Sequence, residues 1–592
     1  MSNQFGAFTF FHRYLGYRIF LLAFASLLVA LFDGLGIAMF IPILAFVAGG
    51  EAGESSALFD NLDFILTGFD FLGIELELIS VLLAMLIVFL IKGFFQFVLN
   101  FLKVLYQQYF VAKLRIESIE GLSDYGYQYF VSADAGEIQN TLSGEVGRVV
   151  QGYRTYNALL QNLILVLSYA TMAFLANAQF SLLVMIGGGL SNLFFQMFYK
   201  RTKNLSAALL KQSHAYHGLI LQKVEYFKYL KSTGLIWQYS DKIKKKIRQV
   251  ENSIRRMGFL SGLLEGAKEP LSMVVVVLAI VLELEFFGGV FSTILVSLLL
   301  FYRALGALTQ VQAGYNNYLS FSGSLIGVQD FLRGLREHRE DSGTKVVEQI
   351  STLELEKISF AYPDKAPILE NINLRIPGQQ TLAIVGESGS GKTTLLNLIS
   401  GLLQPSSGQL KINGFNSTEL DIPSFQRRIG YISQEPVIFD DSLFHNVTFW
   451  AEKTPENLDR FHEALHKAHL MDLLHSLVDG EETRLGHNGV SLSGGQKQRI
   501  SIARELYKEV DLLLMDEATS ALDSETESVI QNNIDDLKGK LSIIIIAHRL
   551  STIKNVDHVV LMEAGRIKSV GSYQDLLQDS EDFKRMVSYQ QL

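Results

Sequence analysis

A chain of 592 residues that is 49% apolar, with a mean hydropathy of +0.23, is too long for one ordinary domain and too apolar to be soluble throughout. Its net charge of −9 offers no basic face to displace counterions from a phosphate backbone, which excludes nucleic acid as a partner. With no cysteine there is no disulfide framework, no thiolate metal site and no cysteine nucleophile.

Arg13 and Arg18 precede an apolar run that continues over residues 19–47, too long for the apolar core of a signal peptide, so the run is expected to be a retained first span. Further runs long enough to cross a bilayer cover 79–105, 156–176, 180–198, 257–282 and 290–308, making six spans. Their connections differ in charge. Residues 49–78 hold Glu51, Glu54, Asp60, Asp63, Asp70, Glu75 and Glu77 without one Lys or Arg, whereas 200–256 include Lys200, Arg201, Lys203, Lys242, Lys244, Lys245, Lys246, Arg248, Arg255 and Arg256. The bias of basic loops toward the cytosol then places both termini, 106–155 and 200–256 inside. These two segments are too long for simple loops. Leu219, Ile220, Val224, Phe227 and Tyr229 keep a helical apolar face, so the spans are expected to continue as long cytosolic helices.

Asp33, Lys92 and Arg303 sit deep inside apolar spans, where each costs about 2.5–3.5 kcal/mol at mid-bilayer unless it faces protein or a wet cavity. All three are candidate substrate residues, and the depth of Asp33 and Lys92 on adjacent antiparallel helices also places these two to pair and set register. That leaves Arg303 to line a cavity and attract an anionic group. Outside, Leu58, Phe59, Leu62, Ile65, Leu66 and Phe69 recur at helical spacing, fitting either a segment at the outer membrane surface or a short helix packed on its own bundle.

Residues 1–330 are thus assigned to a transmembrane domain and 331–350, rich in Arg and Glu, to a linker. From 351 to 592 short β-type runs, 382–385, 512–515 and 542–546, alternate with helical stretches, as in an α/β domain with a largely parallel sheet. The first run leads directly into Gly386, Glu387, Ser388, Gly389, Ser390, Gly391, Lys392, Thr393 and Thr394, a phosphate-binding loop. Glycines let consecutive N–H groups wrap phosphates at a helix start, Lys392 reaches the β and γ phosphates, and the Thr393 hydroxyl suits magnesium. The second run ends in Asp516 and Glu517. The first carboxylate suits a magnesium site and the second can activate water.

Leu492, Ser493, Gly494, Gly495 and Gln496, followed by Lys497, Gln498 and Arg499, resemble the signature motif of ATP-binding-cassette (ABC) proteins. The resemblance extends to Tyr362 as the aromatic that stacks on adenine, Gln434 as the loop glutamine that senses magnesium, Ser520 to Asp523 as the cross-dimer loop and His548 as the switch histidine. It departs at His487, where exporters of this kind commonly carry a glutamate. The resemblance implies a six-span α-helical transmembrane domain followed by an α/β P-loop ATPase, with ATP and Mg²⁺ as cofactors. It also implies that two cassettes pack head to tail, the Ser493, Gly494 and Gly495 backbone of one closing over the γ-phosphate held by the other. One chain has one cassette, so a partner is required: a second copy fits two intact sites, and a heterodimer stays open. Residues 32–42 are also similar to the first span of exporters of lipid-linked saccharides and glycolipids. The expectation is an ATP-hydrolysing exporter or flippase in a bacterial plasma membrane, moving an amphiphile, a phosphate-bearing lipid or lipid-linked saccharide, out of the cytosolic leaflet. A peptide or drug exporter, and a regulatory ABC protein that gates a partner, are the alternatives.

Overall fold

The computed structural model describes residues 2–40, 43, 73, 77–176, 178–286, 291–363, 365–486, 489–490, 492–516, 531–532, 534–547 and 553–590. The chain divides into two compact units, Met1–Asp124 with Ala133–His338, and Tyr125–Ser132 with Arg339–Leu592.

The first unit is helical: α1 (Ser2–Leu15), α2 (Arg18–Ala38) and α3 (Leu78–Ser123) come first. In the second unit, α4 (Tyr127–Phe130) follows α3; the helical unit resumes with α5 (Ala135–Asn140), α6 (Val146–Ala176), α7 (Ala178–Glu225), α8 (Phe227–Ser232), α9 (Ile236–Phe286) and α10 (Phe291–Glu337). At 46 residues α3 is about 69 Å long, roughly twice a hydrocarbon core of about 30 Å, so much of it lies beyond the bilayer. Helices α7, α9 and α10 are of similar length, 48, 51 and 47 residues. Three segments are long and apolar enough to cross a membrane among the described residues: Arg18–Ile37, Leu78–Ser123 and Ala135–Phe174. Along α3, Leu83, Leu86, Leu90 and Phe94 are each more than half exposed, a continuous apolar face that water would not tolerate and lipid covers.

Helix α6 packs most extensively on α10, and α7 on α9 and α10. At the amino end, Phe11 and Leu15 of α1 are fully buried, Phe11 meeting Phe110 of α3 edge-on at 5.6 Å between centroids. The Tyr14 hydroxyl donates to Glu117 at 2.5 Å, tying α1 to α3. The amphipathic outer segment 58–69 lies outside the described residues.

The second unit holds two sheets. One is antiparallel, ordered β2-β1-β4-β5, from β1 (Thr352–Phe360), β2 (Leu369–Pro377), β4 (Ser407–Ile412) and β5 (Phe415–Asn416). The other is ordered β10-β9-β3-β8-β7-β6, with β3 (Thr381–Gly386), β6 (Ile429–Ile432), β7 (Leu512–Asp516), β8 (Ser542–Ile546) and β9 (His558–Glu563) parallel and β10 (Arg566–Gly571) antiparallel at the edge. Strands β7 and β8 are buried at every residue, and β3 at all but its last, because helices cover both faces of a parallel sheet; hence their unbroken apolar runs. Two helices matter for the site, α11 (Lys392–Ile399) after β3 and α12 (Gly494–Tyr507) before β7.

The short helix α4 belongs to this unit. Tyr125 pairs with Arg339 in an isolated bridge, and Tyr127 packs against the same buried cluster as Tyr362 and Tyr431. The expectation that 106–155 extends the spans as long helices is thus met by α3, α5 and α6, with residues 125–132 set apart as part of the second unit.

Candidate functional site: a nucleotide cradle and a membrane-unit cavity

Strand β3 ends at the sheet's centre, and the loop that follows turns back into α11. Gly386 takes φ +152°, and a Cβ there would lie 2.3 Å from the Met562 carbonyl oxygen. Gly391 takes φ +97° and would meet Leu369 at 2.7 Å. Neither position admits a side chain, so the loop's glycines are a geometric requirement. Gly391 is the N-cap of α11 and provides no side-chain acceptor, leaving the first N–H groups of the helix directed at the loop's concavity. The Lys392 ammonium, 7% exposed, donates to the carbonyls of Gly386 and Glu387, both at 2.9 Å, across that concavity. Ser390 Oγ is buried without a hydrogen-bond partner. Uncapped N–H groups, an ammonium at their focus and an orphaned hydroxyl make a cradle that fits a polyphosphate. Thr393 is exposed beside it and Thr394 half-buried.

Asp516 closes β7 at 7% exposure and pairs in register with Ile546 of β8, which in turn pairs with Ile384 of β3, so the carboxylate stands two strands from the cradle on the same sheet edge. Tyr431 of β6 has its hydroxyl pushed up to about 12 by burial, with Asp516 and Tyr127 adding to the shift. Gln434 lies exposed two residues beyond β6. Tyr362, just past β1, is half-buried and edge-on to Phe360 at 5.0 Å. Glu517, His548, residues 520–523 and His487 lie outside the described residues.

Ser493 is the N-cap of α12: its hydroxyl accepts from Gln496 N at 3.2 Å, while Ser493 N donates to Gln496 Oε1 at 2.8 Å. This reciprocal box holds the Gly494 and Gly495 amides at a helix start. No hydrogen bond or ion pair joins these residues to the phosphate loop among the described residues. The Asn446 side chain, on the short helix Leu443–Thr448 packed against α12, is not singled out by the sequence, yet Asn446 Oδ1 and O both accept from Arg504 of α12.

In the helical unit, Lys92 pairs with Asp33, and the Tyr169 hydroxyl donates to the other Asp33 oxygen. The Asp33 carboxylate, 6% exposed as a residue, is therefore satisfied on both sides. Arg303 stands apart and lines a cavity of about 1030 Å³ between α6, α9 and α10, along with Tyr169, Glu265, Glu269 and Gln310. Glu265 and Glu269 escaped the sequence reading although both fall within the span 257–282. Two acids four apart in an apolar run, followed by Pro270, were the available signal.

Residues 19–301 match the family described as the ABC transporter transmembrane region, and 369–520 the ABC transporter family. An ATP-dependent lipid A-core flippase of Escherichia coli is 30% identical over 419 residues, 69% of this chain and 70% of that protein. The chain belongs to the ABC transporter family. One of the same description from Ralstonia nicotianae is 29% identical over 497 residues, 82% of this chain and 83% of that protein. Among solved structures, a bacterial Atm1-family ABC exporter with ATP bound superposes with a TM-score of 0.79 at 20% identity, covering 98% of this chain and 99% of that one, which shows the shared fold. As an ABC transporter with its transmembrane region and its nucleotide-binding ATPase in one polypeptide, this protein couples ATP hydrolysis to transport across a membrane.

Proposed function

We propose that this ABC transporter works as a homodimeric exporter that moves an amphiphile bearing an anionic group, a phosphate-bearing lipid or lipid-linked saccharide, out of the cytosolic leaflet of a bacterial inner membrane. The observation that carries this reading is the cavity of about 1030 Å³, whose walls join apolar Leu165, Met273 and Val276 to Arg303, a cation without an ion-pair partner among the described residues. Arg303 lies 12 residues into α10, about 18 Å along it, a depth at which a guanidinium needs a polar cavity or an anion. The names of the flippase relatives agree with a lipid substrate.

In the ATPase, Lys392 and the amides from Gly389 to Thr393 hold the phosphates, Tyr362 stacks on adenine, and Thr393, Asp516 and Gln434 take the magnesium ion. Glu517 activates the attacking water and His548 contacts the γ-phosphate. Mg²⁺ supplies charge neutralisation to the transferring phosphoryl group. The amides at Ser493, Gly494 and Gly495 complete the site of a second copy. Two features support that partnership: among the described residues the signature residues have no bond to their own phosphate loop, and Phe227, Tyr229 and Trp237 around α8 stand 52%, 62% and 73% exposed on a segment that a second copy would cover. Both termini and the ATPase lie in the cytosol. ATP bound between two cassettes favours the outward-open state only as far as it binds that state more tightly, and hydrolysis resets the equilibrium.

Purifying Glu517→Gln protein in nanodiscs with and without ATP, and identifying bound amphiphiles by mass spectrometry, tests the reading. A phosphate-bearing lipid enriched without nucleotide and lost with ATP or with Arg303→Ala is expected. Bulk membrane lipid alone in every sample refutes it and turns the search to peptides and drugs; absence of ATP-driven lipid movement by wild-type protein in proteoliposomes would point to a regulatory role.

A further inference from the structure

The cavity beside Arg303 carries a second charge of opposite sign. Glu265 and Glu269 of α9 share one helix face four residues apart, and both line the cavity that Arg303 and Tyr302 line from α10. Glu269 and Arg303 each lack a hydrogen bond or ion pair among the described residues, so although they bound one space their charged atoms do not neutralise each other. Pro270 lies inside α9 and cannot donate to the Gly266 carbonyl, which frees an acceptor between the two glutamates. A Cβ placed at Gly266 meets nothing within 4 Å, so there is room beside that acceptor. The α9 wall therefore offers the Glu269 carboxylate and a freed carbonyl, groups that accept hydrogen bonds and attract a cation. The α10 wall offers a guanidinium, which attracts an anion.

From this juxtaposition we infer that the transported amphiphile is zwitterionic, a lipid whose headgroup carries a primary amine as well as a phosphate, the amine seated at Glu269 and the phosphate at Arg303. This deepens the proposed lipid export and rests on that reading. A headgroup with phosphate alone would satisfy Arg303 and leave Glu269 facing an anion in a space of reduced dielectric, whereas an aminated one compensates both charges at once. The volume, at the upper end of the range for small-molecule sites of about 300–1,000 Å³, accommodates such a headgroup together with the first part of its chains, against Leu165, Met273 and Val276.

The experiment compares retention of two probes by the full-length protein, without nucleotide, in native mass spectrometry: dioleoyl phosphatidylethanolamine and dioleoyl phosphatidylglycerol, which share chains and phosphate and differ in the headgroup alcohol, an aminated ethanolamine against an uncharged glycerol. Wild-type protein is expected to retain the first about tenfold better, which is about 1.4 kcal/mol. Glu269→Gln, which keeps shape and loses charge, should bring the ratio close to one. Glu269→Lys should invert it, a gain of phosphatidylglycerol binding that a misfolded protein cannot show. Arg303→Gln should weaken both lipids alike. Equal retention by wild type, or a preference untouched by both Glu269 variants, overturns the inference while leaving lipid export standing. Retention of neither lipid overturns lipid export along with it. Retention of trileucine in their place overturns the lipid assignment, because a short peptide presents the same pair of charges.

Discussion

Asn446→Ala would weaken the connection between the short helix Leu443–Thr448, which follows the loop that carries Gln434, and the helix that carries the signature residues. Asn446 is 1% exposed, and its amide donates to the carbonyls of Phe439 and Ser442 at 3.0 Å while accepting from Phe439 N at 2.9 Å and from Arg504 Nη2 at 3.2 Å. Truncation orphans the Phe439 N–H and half of the Arg504 fork, while the Phe439 carbonyl keeps the Asp441 N–H at 2.8 Å. The Ser442 carbonyl keeps the Asn446 amide N–H at 3.0 Å, and Arg504 Nε keeps the Asn446 carbonyl at 2.6 Å. At about 1 kcal/mol for the bond to the Phe439 N–H and about 1.5–3 kcal/mol for the charged one, the loss comes to roughly 2.5–4 kcal/mol. Alanine favours a helix more than asparagine does, so no part of the loss is propensity. For a unit of this size that is a fall of about 5–16 °C in melting temperature. The protein has its own reporter: of its two tryptophans, Trp450 donates to Asp441 at 2.9 Å and stacks edge-on to Phe439 at 5.0 Å, within this loop. In a Trp237→Phe background, Trp450 fluorescence on heating reads the loop alone. A shift below about 3 °C would refute the reasoning, because it would mean that water or a rearranged Arg504 replaces the amide without cost.

Lys392→Ala removes the ammonium at the focus of the phosphate loop and is expected to lower ATPase activity about 100-fold or more with the fold intact by circular dichroism; more than a tenth of wild-type activity would contradict the assigned role. Asp33→Asn leaves Lys92 without its counter-charge and should destabilise the helical unit by about 3 kcal/mol, the low end for a broken buried pair because Lys92 is 27% exposed; the double variant Asp33→Asn/Lys92→Gln should recover most of the loss in detergent melts. Glu505 has its carboxyl raised above the ordinary 4.5 by burial, against the opposing pull of Lys508, the Tyr431 N–H and Arg504. A raised carboxyl in the folded state contributes stability that is complete below 4.5, declines as pH rises toward the raised value and then levels off. Urea titrations from pH 4 upward should therefore show Glu505→Gln with a flatter profile than wild type across that window, and parallel profiles would exclude the effect.

The sequence by itself determined the two-part organisation and the nucleotide chemistry, because both are written in local signals. Span length and loop charge follow from the bilayer's thickness and potential, and the phosphate loop and signature are contiguous strings whose backbone geometry depends on glycine at fixed positions. The apolar runs of β3, β7 and β8 were legible for the same reason, as each strand is buried on both faces. Tertiary structure alone decided what depends on residues far apart in the chain. The partnership of Asp33 with Tyr169 spans 136 positions and that of Asn446 with Arg504 spans 58. No periodicity encodes such contacts. The same holds for the turn at Tyr127, which reads as part of a long helix until its side chain is seen packed on the same core as Tyr362 and Tyr431. It holds most of all for the cavity: Glu269 and Arg303 are ordinary charges in their own helices, and only the packing of α6, α9 and α10 sets them around one space, where unlike charges left unpaired define what can bind.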